Sequence, residues 1–202
     1  MLRLKDGELA IKLAREAIEG YLNERTTISP RLSGKFMEKR GVFVTLHKEG
    51  LRGCIGQPYP DMFLGDAIVD SAISAAVRDP RFSPVQINEL KEITIEITIL
   101  APPKLIEGKA NERPEKIQIG KHGLLVKFAT LSGLLLPQVA TEYRFDAKKF
   151  LSQTCIKTGL TPDMWLDERV NVYTFEGQIF AEVEPNGAVV EKKITPILPF
   201  HR

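Results

Sequence analysis

The segment with the clearest capacity for chemistry is residues 51–56, LRGCIG, in which a cation and a thiol stand two positions apart. Side chains alternate between the faces of a strand, so Arg52 and Cys54 share one face. A nearby positive charge favours the thiolate, which is the nucleophilic form of cysteine. Gly53 and Gly56 leave the backbone bare, as expected where a ligand or another chain segment approaches closely. The pattern predicts Cys54 as nucleophile or group carrier, Arg52 as stabiliser of the thiolate or holder of an acidic substrate, and the two glycine amides as oxyanion donors.

The same segment also has a purely structural interpretation. Free cysteine is among the most buried residue types, and a glycine within a strand can mark a bulge. A charged side chain on a short buried hairpin needs a partner, and for Arg52 we expect Glu96 or Asp79 in that role. The sequence leaves both interpretations of the segment open.

Further candidates lie outside the hairpin. Asp79 and Arg81 flank a proline that fixes the backbone, and they either converge with Glu96 on the thiol or form only a cap and an ion pair. His122 opens a second hairpin and is the best histidine candidate for a general base near pH 7, with a hydrogen-bonded turn histidine as the alternative. Cys155 follows the apolar stripe of a helix and is predicted to be a core residue.

Composition excludes several functional classes. The chain has 202 residues, and 28 Lys and Arg against 26 Asp and Glu give a formal net charge of +2. This balance lacks the basic stripe of a dedicated nucleic-acid binder. The two cysteines stand about a hundred positions apart without ligand spacing, and no P-loop or dinucleotide fingerprint is present. We therefore expect no metal and no cofactor.

The N-terminal residues and the hydropathy pattern predict the compartment. Residues 1–8 are charged and lack the apolar core of a signal peptide. No stretch approaches the ~20 apolar residues that span a bilayer. We expect a cytoplasmic protein with free thiols and no membrane partner.

The elements that position these residues form a pattern that occurs twice. The chain is predicted to begin with a helix from an N-cap at Asp6 to Asn23 and a loop over 26–40 with a helical turn near Phe36. There follow a hairpin with strands at 42–46 and 51–56, a helix from an Asp61 cap through Val77, and a strand within 91–100. The later elements are a second hairpin with strands at 123–128 and 133–138, a capped helix over 146–157, and strands at 170–175 and 178–183. We interpret hairpin, helix and strand as a duplicated unit, with pseudo-repeats at about 41–100 and 123–183.

These elements define the fold class and the extent of the domain. Antiparallel hairpins mixed with helices indicate an α+β fold with a mixed, largely antiparallel sheet and helices packed on it. We expect one domain over residues 1–184, followed by an extended C-terminal tail over 185–202.

Six segments, taken in chain order, resemble a known family. They are LRGCIG at 51–56, AA at 75–76, DPRF at 79–82, EITIL at 96–100, GLLLPQVA at 133–140, and CIKTGL at 155–160 followed by Trp165. The series is similar to that of the AMMECR family, named after a human chromosomal region linked to Alport syndrome, midface hypoplasia and elliptocytosis. The resemblance covers about residues 5–183 and leaves the tail outside it.

The resemblance carries its own expectations. It implies an α+β fold with a duplicated strand-helix unit, arranged as a larger and a smaller subdomain. The family has no established activity, but the cysteine and arginine of its hallmark hexapeptide, which match Cys54 and Arg52, have been suspected of forming a site. Gene neighbourhood implies Memo-type dioxygenase-like proteins and radical SAM proteins as partners in a shared modification pathway. We also count Gln138, in the segment 133–140, as a binding candidate.

Three functional hypotheses follow from these observations. The leading one is an enzyme or enzyme component with a pocket around Arg52, Gly53, Cys54 and Gly56, acting on a small acidic substrate or a peptide. The alternative is a non-catalytic binding or adaptor module that holds a peptide or partner protein in the same cleft. RNA binding is the weakest hypothesis, because the net charge is low and few basic and aromatic residues are interleaved.

Overall fold

Two compact units divide the chain, which a computed structural model describes over residues 2–30 and 33–192. Among these residues the first unit runs to Leu100 and resumes at Gln178, and the second is Ala101–Gly177. The elements of the first unit up to Leu100 are α1 (Leu4–Glu24), β1 (Val42–His47), β2 (Leu51–Gln57), α2 (Leu64–Val77) and β3 (Thr94–Leu100). The second contains β4 (Lys104–Leu105), β5 (His122–Phe128), β6 (Leu131–Leu135), α3 (Pro137–Glu142) and α4 (Ala147–Lys157). Strand β7 (Asn171–Glu182) passes from the second unit into the first, and β8 (Val189–Lys192) follows it.

The first unit is a sheet with helices packed on one face. Its strands follow the order β2-β1-β3-β7, and β8 pairs antiparallel with β7. Strand β1 pairs antiparallel with both β2 and β3, so that Thr45 lies opposite Cys54 on one side and Glu96 on the other. The alternate side chains of β1 and β3 are fully buried and form a core with α1 and α2. The remaining side chains of these strands therefore point to the opposite face.

A buried ion pair in the first unit joins helix α1 to strand β7. The Arg15 guanidinium of α1 donates to both Glu182 carboxylate oxygens of β7, at 3.0 and 2.5 Å, and also to the main-chain carbonyls of Leu90 and Ile93. The same carboxylate accepts the Ile95 N–H at 2.9 Å. Both charged side chains are buried, so each depends on the other for its compensation.

The second unit repeats this construction on a smaller scale. Its strands follow the order β6-β5-β7, with antiparallel pairing throughout, and β4 also pairs with β7. Helix α4 supplies Phe150, Leu151 and Cys155 to a second core, in which all three are fully buried. Cys155 is thus a core residue, as its position on the apolar stripe predicts.

The α+β class and the largely antiparallel sheet predicted from the sequence are confirmed. Hairpin, helix and strand occur in the same order in both parts of the chain, as β1-β2-α2-β3 and as β5-β6-α3-α4-β7. Duplication as the origin of that order stays a prediction, as do the bounds of the single domain. Within the described residues no helix is both long and apolar enough to cross a membrane.

The helix starts differ from those predicted. Helix α1 begins at Leu4 with Arg3 as its N-cap, and Asp6 lies in the first turn, where its carboxylate accepts the Arg3 N–H at 2.8 Å. Asp6 does cap this N-terminus, but it does so from inside the helix. Helix α2 begins at Leu64 rather than after Asp61. The sequence pattern predicts a strand over 133–138 and no helix after it, but α3 begins at Pro137, since proline is favoured at the first position of a helix.

The C-terminal part also departs from the predicted pattern. Two strands were predicted around Gly177, but β7 runs through it without a break. The predicted tail over 185–202 contains β8, which pairs with β7 and places the Lys192 ammonium 2.7 Å from the Glu96 carboxylate. Residues 193–202 of the predicted tail lie outside the described residues.

Candidate functional site

A row of polar side chains crosses the face of the first unit's sheet opposite α1 and α2. Cys54 of β2, Thr45 of β1 and Glu96 of β3 are register partners, and residues directly opposite on antiparallel strands share a face. The Cys54 Sγ lies 3.2 Å from the Thr45 Oγ1, within hydrogen-bond distance. Lys192 of β8 adds its ammonium to the far end of the row through Glu96. We call these four side chains the polar row.

Asp79 and Arg81 hold the main chain of Cys54 from the other side. The Cys54 N–H donates to the Asp79 Oδ2 at 2.9 Å, and the Arg81 Nη2 donates to the Cys54 carbonyl at 3.3 Å. The two side chains also hold each other, since the Arg81 Nε donates to the Asp79 Oδ1 at 2.9 Å and its Nη2 to the Oδ2 at 2.7 Å. The Arg81 N–H completes the set at 3.1 Å from the Oδ1. We call this pair the clasp.

The clasp occupies the position that a neighbouring strand would take. Strand β2 begins the strand order, so among the described residues no further strand pairs with its outward main-chain groups. The Asp79 carboxylate replaces the acceptor of such a strand, and the Arg81 guanidinium replaces its donor. Unpaired edge groups are a template for association with other chains, so side chains that cover them protect the fold.

The electrostatics of the clasp keep both groups ionised. The hydrogen bond from Arg81 lowers the pKa of the Asp79 carboxyl well below its usual range, and the Cys54 N–H lowers it further, against the opposing effect of burial. The hydrogen bond to Asp79 likewise raises the pKa of Arg81. The Asp79 side chain is 2% exposed and that of Arg81 is 53% exposed. The carboxylate is therefore a fixed acceptor, and it already receives four hydrogen bonds.

Arg52 is paired differently from the prediction. Its Nε and Nη2 each donate to Glu89 at 3.1 Å, and its Nη1 donates to the Ser83 carbonyl at 2.9 Å. The expected partners, Glu96 and Asp79, are instead held by Lys192 and Arg81. Arg52 thus ties the hairpin to the segment that follows α2, and Arg81 supplies the guanidinium that contacts Cys54. Sequence reasoning missed Glu89, whose only signal was its position three residues after Gln86, the spacing of a capping box.

The two glycines of the hexapeptide are explained by packing against other chain segments. A Cβ at Gly53 would lie 2.1 Å from the Ala75 carbonyl oxygen of α2. A Cβ at Gly56 would lie 2.4 Å from both the Phe43 ring and the Val42 carbonyl oxygen of β1. Of the two causes considered for the bare backbone, a close chain segment accounts for both positions. The Cys54 N–H between them is bound by Asp79 and is not free to receive an oxyanion.

His122 and Gln138 belong to the second unit, apart from the other candidates. The His122 Nδ1 accepts the Gln118 N–H at 3.2 Å, as a hydrogen-bonded turn histidine would. Burial lowers the pKa of His122 below its ordinary value, so the ring is neutral at pH 7. Gln138 lies in α3, and its buried Oε1 has no hydrogen-bond partner among the described residues. The structure thus brings Cys54, Glu96, Asp79 and Arg81 into one unit and leaves these two in the other.

Comparison with known proteins supports the resemblance. A family model described as AMMECR1 matches residues 11–180. Protein Mbar_A1807 of Methanosarcina barkeri is 54% identical over 96% of this chain and 99% of its own, and Protein MJ0810 of Methanocaldococcus jannaschii is 48% identical over 96% and 98%. The crystal structure of the uncharacterized protein PH0010 from Pyrococcus horikoshii superposes with a TM-score of 0.85 at 45% identity, covering 95% of this chain and 98% of that one.

Proposed function

The chain belongs to the AMMECR1 family, and from that premise we propose that it is an enzyme, or the thiol-bearing component of one, in which Cys54 is the reacting group. The observation that carries the proposal is the contact of 3.2 Å between the Cys54 Sγ and the Thr45 Oγ1 within the polar row. A half-buried thiol beside a hydroxyl combines a nucleophile with a hydrogen-bond donor that can stabilise its thiolate.

Two side chains of the row, Cys54 and Thr45, carry the chemistry of this proposal. The Cys54 sulfur attacks an electrophilic carbon of the substrate, forming a C–S bond while the leaving group departs with its electron pair. The Thr45 hydroxyl donates its hydrogen bond to the thiolate before the attack. The thiol proton passes to solvent, which reaches the half-buried Cys54, because the Asp79 carboxylate already accepts four hydrogen bonds and the Glu96 carboxylate is paired with Lys192.

Arg52, Gly53 and Gly56, the other residues of the hexapeptide considered for this chemistry, are engaged by other parts of the chain. Arg52 is engaged by Glu89 and Ser83, and Gly53 packs on α2. The proposed site therefore centres on Cys54 and Thr45, with the ion pair of Glu96 and Lys192 at the far end of the row, and stabilises the thiolate through a hydroxyl rather than through the neighbouring arginine. We further propose that Memo-type and radical SAM proteins are its partners in a modification pathway, which co-purification of the tagged full-length chain from its native cell tests directly.

Alkylation of the folded protein tests the proposed function. Iodoacetamide is added to the folded chain and to the chain unfolded in urea, and mass spectrometry reads the labelling rate of each cysteine separately. We expect Cys54 to react faster in the folded than in the unfolded chain. Cys155 serves as a control within the same molecule, because its burial raises the pKa of its thiol and it should react only on unfolding.

A valine substitution tests the hydroxyl. A hydrogen bond is worth about 1 kcal/mol, so Thr45→Val should slow Cys54 alkylation about five-fold. Thr94→Val is the matched control, since Thr94 lies on the same face of β3 one row away from Glu96. The proposal would be overturned if Cys54 were alkylated no faster in the folded than in the unfolded chain, or if Thr45→Val left its alkylation rate unchanged.

A further inference from the structure

We propose that Asp79 and Arg81 are positioning residues for the Cys54 thiol, an inference that rests on the function proposed above. The clasp binds both main-chain groups of Cys54, the N–H at 2.9 Å and the carbonyl at 3.3 Å, and it touches no other residue of β2 through the hydrogen bonds described. Its two contacts fix the orientation of this one peptide segment at an edge where no further strand does so.

The geometry of the strand connects the clasp to the thiol. The N–H and carbonyl of Cys54 point to the sheet edge, while its side chain projects from the sheet face beside Thr45. A rotation of the edge strand about its own axis would carry the Sγ away from the Thr45 Oγ1. Edge strands are prone to such twisting and fraying. The clasp opposes that rotation from one side, and the β1–β2 ladder opposes it from the other.

A second aspartate and arginine pair with the same spacing shows that such a pair does not bind the main chain of a strand wherever it occurs. Asp167 and Arg169 have the same spacing, and the Asp167 Oδ1 accepts the Arg169 N–H at 2.8 Å and the Nε at 3.0 Å, while the Oδ2 accepts the Nη2 at 2.6 Å. The Asp167 side chain is 23% exposed, against 2% for Asp79. The hydrogen bonds between aspartate and arginine are therefore the same in both pairs. Of the two, only Asp79 and Arg81 also bind the main chain of a strand in the hydrogen bonds of the described residues.

The clasp also restricts how a substrate reaches the thiol. An extended peptide that added to β2 as a new strand would need the Cys54 N–H and carbonyl, which Asp79 and Arg81 occupy. The substrate of Cys54 must therefore approach over the face of the sheet on which the half-buried Thr45 lies. This route favours substrates whose reacting group projects toward the sheet, and it disfavours extended peptides that pair along the sheet edge.

A double-mutant cycle on alkylation tests the positioning role. Cys54 labelling rates are compared for the full-length wild type, Thr45→Val, Asp79→Asn and the double variant. We expect Thr45→Val to slow labelling about five-fold in the wild type, and less than two-fold in the Asp79→Asn background, because the thiol no longer faces the hydroxyl. Asp167→Asn, the matched control, should leave the five-fold effect intact. Arg81→Lys keeps the charge but not the fork and should give an intermediate value.

Hydrogen exchange provides an independent measurement. The Cys54 amide should exchange at least ten-fold faster in Asp79→Asn than in the wild type, and at the wild-type rate in Asp167→Asn. A Thr45→Val effect that stays five-fold in Asp79→Asn overturns the positioning role and leaves the proposed function standing. Absence of that effect in the wild type overturns the proposed function, and the positioning role with it.

Discussion

Replacing Gly53 with alanine should destabilise the first unit strongly. The added Cβ would lie 2.1 Å from the Ala75 carbonyl oxygen, whereas real Cβ contacts essentially never fall below 3.0 Å, so β2 and α2 must separate by about 0.9 Å (3.0 − 2.1). The obstructing atom belongs to a helix backbone and cannot rotate away as a side chain could. Overpacking in a core costs about 1–3 kcal/mol, and this rigid contact places Gly53→Ala near the upper end.

Urea unfolding followed by far-UV circular dichroism measures this loss. With a slope of about 2–3 kcal/mol per molar urea, a loss of about 2–3 kcal/mol lowers the unfolding midpoint by about 1 M. Gly20→Ala is the control. Gly20 lies within α1, and a Cβ there would meet only the Ile28 Cγ2, at an ordinary contact distance of 3.5 Å. It should stabilise the chain by about 0.5–1 kcal/mol. If Gly53→Ala left the midpoint and slope unchanged, the close-packing explanation of this glycine would be refuted.

Three further predictions concern buried or titrating groups. Glu182→Gln leaves the Arg15 guanidinium buried without a countercharge and should lower the free energy of unfolding in urea by about 3–5 kcal/mol. Replacing both residues with methionine should recover most of that loss. Equal losses in the two variants would refute the pairing. The pKa of Asp79 is lowered in the folded chain, so its stabilising effect is present above its unfolded value of about 3.9 and is lost as the pH falls through the lower folded value. The stability difference between wild type and Asp79→Asn should therefore shrink from pH 5 towards pH 2, and a constant difference would count against the clasp. Burial lowers the pKa of His122, so protons bind preferentially to the unfolded chain and stability is lost as the pH falls below about 6.5; His122→Gln should reduce the fall in Tm between pH 7.5 and pH 5.

The elements of the first unit could be predicted because their signals are local. The strand with Ile at 93, 95, 97 and 99 follows the two-residue period of a half-buried strand, and the hairpin strands of β1 and β2 lie where their turn predicts. The sequence pattern does not reveal strand β8, because its pairing with β7 depends on residues that lie 7–13 positions away. Its four residues carry too short a pattern to distinguish a paired strand from an extended tail.

The candidate site shows the same limit for side chains. Alternation along β2 correctly places Arg52 and Cys54 on one face, and register places Glu96 in the row with Cys54. Alternation does not say which of several carboxylates reaches a guanidinium, and Glu89 rather than Glu96 or Asp79 takes Arg52. Thr45 was overlooked because its importance comes from the register of two strands, which no spacing within β1 encodes.

The buried pair of Arg15 and Glu182 has a consequence for how the chain folds during synthesis. The two residues are 167 positions apart, which at about 5–20 residues per second corresponds to roughly 10–30 s of translation. Throughout that interval α1 carries a guanidinium that cannot be buried favourably, while residues 101–177, the described part of the second unit, are all synthesised before Glu182. The unit whose synthesis begins first can therefore form its buried ion pair only after residues 101–177 have been synthesised.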